Sequence, residues 1–468
     1  MSVLDELRAL RGGDLPTHGG RTLAYVYDSA VPGLDELAAS AHALASSVNG
    51  LDPTAFPSLL RLENDVVAMA AQNLGGSDAT VGTVTSGGTE SCLLAVLAAR
   101  DSRPEVASPA MVIPETAHAA FHKAAHYFGV RVVAVPVDPD TFRVDAAEMA
   151  AAIDGDTVLV VASAPSYAHG VVDPVAEIAA AAAKAGVRCH VDACIGGWVL
   201  PYFRRLGVDV PPFDFAVPGV TSISVDLHKY AYCPKGTSVL LHASAELRRP
   251  QYFASADWPG YTMLNSTMQS TRSGGPLAAA WAVTRHLGDA GYLELAEKTL
   301  GAVRLILDGI EGIDGLRVLG RPESTLIAIT ADSDEFDVFT VADEMRARNW
   351  YVQPQFAYGG SPANLHLTVT AANAGGEAAL VADLADSVRA AVKAGPVPVG
   401  AEVVAVIAGL DPDTLTAQDF AGLLVAAGLG GGDSVLPERM APVNALLAAA
   451  RPRLRERLLV EFLGVLYS

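Results

Sequence analysis

Three segments place polar side chains where they could do chemistry. The first is Thr85-Ser86-Gly87-Gly88-Thr89-Glu90-Ser91, between a run of strand character and a run of helix character. Two glycines let backbone N–H groups approach an anion closely, a helix start adds roughly half a positive charge, and the hydroxyls can donate. The segment has the form of a phosphate cradle, but it matches neither GxxxxGK(S/T) nor GxGxxG. Alone, it reads equally well as a tight strand–helix turn. The second segment is His190-Val191-Asp192-Ala193-Cys194. It sets an Asp at the end of an apolar strand, where it could meet a ligand, cap a helix or pair with a buried cation. The third, Ser222-Ile223-Ser224-Val225-Asp226-Leu227-His228-Lys229, ends on a Lys beside a His. Desolvation lowers the pKa of such a Lys and makes it a Schiff-base nucleophile, whereas a solvated loop Lys stays an ammonium.

The elements that would carry these segments alternate. Candidate strands are Thr80–Thr85, Ala110–Ile113, Arg131–Val137, Thr157–Ala162, Val187–Asp192, Thr221–Asp226 and Thr237–His242. Helix-period segments lie between them, at Glu90–Arg100, Ala117–Phe128, Ala146–Ile153 and Pro174–Ala185. Such alternation predicts an α/β domain with a parallel-rich sheet covered by helices, and its ligands belong beyond the C-terminal strand ends. A smaller α+β domain is expected over 291–395. It contains a helix at Gly291–Ile310, strands near Leu316–Val318, Thr325–Thr330 and Asn364–Thr370, and a helix at Val338–Arg348. The expected division is a helical arm over 1–50, a large domain over 51–290, the small domain over 291–395, and a linker with a helical tail of unknown role over 396–468. Within that tail, Gly428–Asp433 is expected to separate two helices.

All three segments sit at strand ends of one sheet, and in combination they describe a pyridoxal 5′-phosphate site. That cofactor needs an anion site, a carboxylate against its pyridine nitrogen, and an amine for a Schiff base. The order of phosphate loop, Asp and Lys, followed by a small domain, resembles the aspartate-aminotransferase-like fold, fold type I of pyridoxal-phosphate enzymes. Within it the chain resembles the group II decarboxylase superfamily, and most closely the sphingosine-1-phosphate lyases. The matching segments are Thr85–Ser91, Thr116–Phe128, His190–Gly197 and Ser222–Gly236, with looser matches at Asp257–Gly260 and Ser270–Gly275.

The resemblance implies a role for each matched position. Lys229 would hold the cofactor and Asp192 would pair with its pyridine nitrogen. Gly87, Gly88 and Thr89 would grip its phosphate, with Ser224 also in contact. His118 would stack on the ring opposite Cys194, and His228 would sit beside the phosphate or move a proton. Tyr27 and Lys235 match positions near a substrate phosphate. The family also implies a homodimer with a shared active site, so Tyr27 and the Ser273–Gly275 loop could serve the neighbouring subunit. The reaction would be retro-aldol Cα–Cβ cleavage of an amino alcohol, with amino-acid decarboxylation as the alternative and a catalytically silent scaffold as a second one.

Two positions depart from the family pattern. Asp52 stands where a phosphate-holding His is expected, and Asp28 follows Tyr27 where another His is expected. An Asp about 4 Å from a phosphate costs on the order of 4 kcal/mol at an effective dielectric of about 20, or about three decades of affinity. Either Asp52 points elsewhere or the substrate carries no phosphate there. His118, His122 and His126 recur at helical spacing, but no Cys or carboxylate nearby completes a metal set, so no metal is expected.

Composition fits an enzyme of this kind. The 468 residues carry a net charge of −20, which argues against nucleic acid and anionic membranes as partners. The mean hydropathy is +0.30, yet no apolar run is long enough for an integral membrane segment. The N-terminus lacks a signal-type segment, and the four cysteines (Cys92, Cys189, Cys194, Cys233) show no CxxC spacing. These features point to a cytoplasmic protein with reduced thiols.

Overall fold

The computed structural model describes residues 2–426 and 437–467; the expected Gly428–Asp433 break lies outside them. The large domain is built on seven strands: β1 (Val81–Thr85), β2 (Ala110–Pro114), β3 (Arg131–Val135), β4 (Thr157–Ser163), β5 (Arg188–Asp192), β6 (Val220–Asp226) and β7 (Ser238–His242). They are ordered β1-β7-β6-β5-β4-β2-β3, and only β7 runs against the others. Each strand coincides with a candidate read from sequence to within two residues at either end.

The central strands explain why the sheet forms. All seven residues of β4 are buried, and in β5 and β6 only one residue each is not. Val and Leu rows of this kind suit a sheet covered on both faces. The core around them extends to the helix Val175–Ala185 on one layer and to Trp198, Tyr202 and Tyr292 beneath the domain junction. Burying each large apolar side chain contributes about 1.5–3 kcal/mol.

The small domain carries a four-stranded antiparallel sheet: β10 (Leu316–Val318), β11 (Leu326–Ala331), β12 (Gln353–Gln355) and β13 (Asn364–Thr368), in the order β10-β11-β13-β12. It has its own core, including Ile327, Leu365, Leu367 and Trp350. Between the domains runs one helical stretch, Gly274–Glu311, broken at Gly288, where φ is +56°. The expected helix at Gly291 is the second part of this stretch. The break lies just before the expected boundary at 290/291, so the two domains share a bent helix.

The arm over 1–50 contains helices Val3–Leu10 and Leu34–Ala45. The stretch between them is tied to the small domain: Leu23 N donates to Tyr351 O, and Thr368 N donates to Leu23 O. A two-stranded ribbon, β8 (Phe253–Ser255) with β9 (Met263–Asn265), was not anticipated from sequence. Among the described residues, no helix is long and apolar enough to cross a membrane.

Candidate active site

Ser163, Asp192 and Asp226 end the adjacent strands β4, β5 and β6, and a cavity of about 360 Å³ opens beyond them. Its wall includes Ser86, Gly87, Gly88, Thr89, Cys92 and His118, together with Asp192, Cys194, Asp226, His228 and Lys229. All three segments singled out in the sequence therefore meet in one space, as a parallel sheet requires.

The cradle is the turn from β1 into the helix Gly88–Asp101. No side chain caps that helix, so its first N–H groups face the cavity free for an anion. Glu90, at the third position of the helix, folds back over the turn. Its carboxylate accepts from Ser86 N at 2.6 Å, Ser86 Oγ at 2.7 Å and Met268 N at 2.8 Å. A chain of hydroxyls from Thr85 through Ser91 to Ser238 (2.7 and 2.9 Å) locks the helix to the sheet. Gly88 is required by space. A Cβ there would stand 2.7 Å from both Asp226 oxygens and from Cys194 Sγ.

Asp192 receives Cys194 N at 3.1 Å and Ser224 Oγ at 3.3 Å, both on Oδ1, which leaves Oδ2 for a ligand. Lys229 Nζ lies 2.9 Å from Asp226 Oδ2. Burial alone would lower the Lys229 pKa, but the Asp226 charge outweighs it and holds the ammonium well above its ordinary value. The expectation that desolvation leaves this Lys less basic is therefore corrected by a carboxylate three residues upstream. Burial likewise pushes Asp226 up, and Lys229 and then His228 bring it below the usual carboxylate range. Asp226 Oδ1 is buried without a hydrogen-bond partner.

His228 Nδ1 lies 2.7 Å from Thr237 O. A carbonyl only accepts, so Nδ1 carries the proton. Nε2 lies 3.5 Å from Asp226 Oδ2, and burial lowers the His228 pKa despite that charge, which favours the neutral ring.

The pyridoxal-dependent decarboxylase conserved domain matches residues 24–329. The chain belongs to the pyridoxal-dependent decarboxylase family. It is 41% identical over 350 residues to a sphingosine-1-phosphate lyase of Dictyostelium discoideum, covering 75% of this chain and 65% of that relative. A solved sphingosine-1-phosphate lyase of Burkholderia pseudomallei superposes with a TM-score of 0.79 at 38% identity, over 84% of this chain and 91% of the other. A glutamate decarboxylase of Lactobacillus brevis shares the fold, with a TM-score of 0.75 at 20% identity. The chain thus spans slightly under two thirds of the length of the Dictyostelium relative. A C-terminal HTH domain of pyridoxal-dependent enzymes matches 401–465, the tail that the sequence reading left without a role.

The cofactor of this family is pyridoxal 5′-phosphate, and the residues present fit it. An uncapped helix start faces a carboxylate oxygen left without a donor and the one Lys of the cavity, across a floor that admits only glycine at 88. Asp192, Lys229, Gly87, Gly88, Thr89, Cys194, His118 and His228 all line the space.

Three expected site residues are placed differently. Ser224 does not reach the cavity. It is fully buried one pleat deeper than Asp226 and holds Asp192 and Cys194 from behind, bonded also to His190 Nε2 at 3.3 Å. Asp52 is not brought to the Lys229 cavity of its own protomer. Its Oδ1 accepts from Thr54 N at 2.8 Å and Thr54 Oγ1 at 2.6 Å, and these bonds hold its pKa below the usual range. Asp28 is also turned away, buried and accepting from Gly19 N and Ala30 N, both at 2.9 Å. The reason is common to both: a short carboxylate next to free loop N–H groups folds onto its own backbone.

Tyr27 and Lys235 come together. The Lys235 ammonium lies 4.9 Å over the Tyr27 ring and donates to Tyr25 O at 2.8 Å. It has no salt-bridge partner among the described residues; loss of hydration and then the Lys229 charge lower its pKa to about 8. His118 precedes the helix Ala120–Phe128 and accepts from Ala120 N at 3.1 Å, so it leaves the face shared by His122 and His126. Sequence reading missed Asp226, Glu90 and Tyr167, the last of which also lines the cavity, its ring edge-on to His118. Asp226 had a signal, a carboxylate i−3 from the Lys; the other two had none.

Proposed function

We propose that the protein is a pyridoxal-phosphate-dependent carbon–carbon lyase acting on a phosphorylated amino alcohol, such as a sphingoid-base phosphate. The observation that carries this reading is the Lys235–Tyr27 pair. It offers a cation without a carboxylate partner near Lys229, while Asp28 and Asp52 are both folded away. The acidic mouth that would repel a phosphate is absent from this protomer. The lyase names of relatives at about 40% identity support the same reaction.

The bound cofactor supplies an electron sink for the pair released when Cα–Cβ breaks. The chain's own residues do the rest. Asp192, with Oδ2 left free of donors, would pair with the pyridine nitrogen, and the uncapped helix start at Gly88 would take the cofactor phosphate. Lys235 and Tyr27 would bind and orient the substrate phosphate, and so select the bond to be broken. His228 Nε2, with Nδ1–H fixed on Thr237 O, accepts the proton of the β-hydroxyl. Lys229 Nζ, the one amine of the cavity wall, would hold the cofactor and could return a proton to Cα. Atoms balance as an aldehyde and a phosphorylated amine. We further propose a homodimer in the cytoplasm; four unpaired, buried cysteines support a reducing compartment.

The test is product analysis. Incubation with a sphingoid-base phosphate should release a fatty aldehyde and no CO₂. Release of CO₂ from any of the free amino acids, without aldehyde from the phosphate ester, would instead establish the decarboxylase.

A further inference from the structure

We infer that Cys92, Asp192 and Cys194 form a site for one thiophilic divalent cation of the Zn²⁺ type, open when the pyridoxal cofactor is absent and closed by its binding. The two thiol sulfurs and a carboxylate oxygen of Asp192 lie within 4.8 Å of one another, and all three residues are buried. This is the only such cluster among the described residues. Its members come from the helix Gly88–Asp101 and from the end and following turn of β5, so nothing in their sequence spacing reveals it.

The donor set suits a soft ion. Zn²⁺ takes thiolate sulfur at about 2.3 Å and carboxylate oxygen at about 2.0–2.2 Å, so ligands on one tetrahedron stand roughly 3.5–4 Å apart. Small side-chain rotations would bring the three atoms to that spacing. All three residues line the 360 Å³ cavity, which leaves room for water to complete the coordination. The ligands are also held from behind. Ser224 Oγ donates to Asp192 Oδ1 at 3.3 Å, the metal-free Cys194 thiol donates to Ser224 Oγ at 3.2 Å, and His190 Nε2 lies 3.3 Å from the same hydroxyl. Hydrogen bonds of this kind orient metal ligands.

The balance is simple. One M²⁺ binds two thiolates and one carboxylate, and the two thiol protons leave to solvent. No oxidant or reductant is needed. Exclusion of the cofactor follows because Asp192 would be committed to the metal, and the ion would occupy the floor on which the ring must lie. That exclusion rests on the cofactor reading of Asp192; the metal set does not.

The test uses the full chain freed of cofactor, kept under a phosphine reductant and titrated with CdCl₂. The expected result is an ultraviolet thiolate-to-cadmium charge-transfer band that saturates at a single cadmium per chain. The band should be lost in Cys92→Ser, kept in a Cys189→Ser/Cys233→Ser double variant, and abolished by adding pyridoxal 5′-phosphate. Should Cys92→Ser lose its native circular dichroism, Cys92→Ala takes its place. No band, or an unchanged band in the Cys92 variants, would overturn the site. A band equally strong in the cofactor-loaded protein would overturn the exclusion. A chain that binds cadmium through Cys92 but never takes up pyridoxal 5′-phosphate would support the metal site and contradict the cofactor reading.

Discussion

Lys229 and Asp226 are the charge pair on which the site depends. Asp226 is buried, Lys229 is mostly so, and they lie 2.9 Å apart, so removing one partner strands the other. Asp226→Asn should lower unfolding free energy by about 3–5 kcal/mol, measured by denaturant titration. It should also release the Lys229 pKa downward, since burial then acts unopposed; a Lys229 pKa that stays high would contradict the pairing. Lys235 gives a prediction of opposite sign in pH. Its folded pKa of about 8 lies below the ordinary Lys value, so the cation is present below pH 8 and lost above it. KM for a phosphorylated substrate should therefore rise as pH passes 8, with kcat little changed. Lys235→Arg should flatten that rise, because a guanidinium stays charged. These residues also show where sequence legibility ended. Lys229 and Asp192 were readable because chemistry restricts what can stand at a strand end. The sign of the Lys229 shift was not, because it depends on Asp226, whose side chain only the fold brings to the ammonium. Asp52 and Asp28 stood at positions that suggested a changed substrate, and backbone N–H groups that no motif encodes turn both aside.

At the scale of elements, the cradle works because β1 turns into a helix through two glycines packed on the β6 strand end. Gly88→Ala should keep the fold and weaken cofactor binding about 10- to 100-fold. The added methyl meets Asp226 and Cys194 at 2.7 Å, and overpacking of this kind costs about 1–3 kcal/mol. Equilibrium titration with pyridoxal 5′-phosphate reads this directly; an unchanged Kd would mean that the phosphate lies elsewhere. The seven large-domain strands were legible because they are short β-branched runs between alanine-rich helices, buried on both faces. The β8–β9 ribbon was not. Phe253, Tyr252 and Leu264 are exposed there, so no inward-facing apolar alternation marks it. The break at Gly288 was hidden for a related reason: apolar spacing continues on either side of it.

The whole chain carries its −20 charge unevenly in function. The tail matched by the HTH domain has five arginines against eight carboxylates. Its arginines are engaged within the chain: Arg453 on Asp413, Arg457 on Glu461, Arg439 on Glu344, Arg451 on Leu410 O, and Arg455 over the Phe356 ring. Next to the cradle, a cavity of about 620 Å³ is lined by Leu60, Tyr252 and Leu264, all exposed, and Phe253 and Met268 nearby in sequence are exposed as well. Such a patch suits a subunit interface. Light scattering should accordingly give twice the 48.4 kDa chain mass, and a monomer that retains full activity would contradict a shared site. The central claim, that Lys229 holds pyridoxal 5′-phosphate, has a more direct measurement. Borohydride reduction of the cofactor-loaded protein, followed by peptide mass analysis, should locate the pyridoxyl group on Lys229 alone and find none in Lys229→Ala. A label on Lys235, or none on either lysine, would contradict the account.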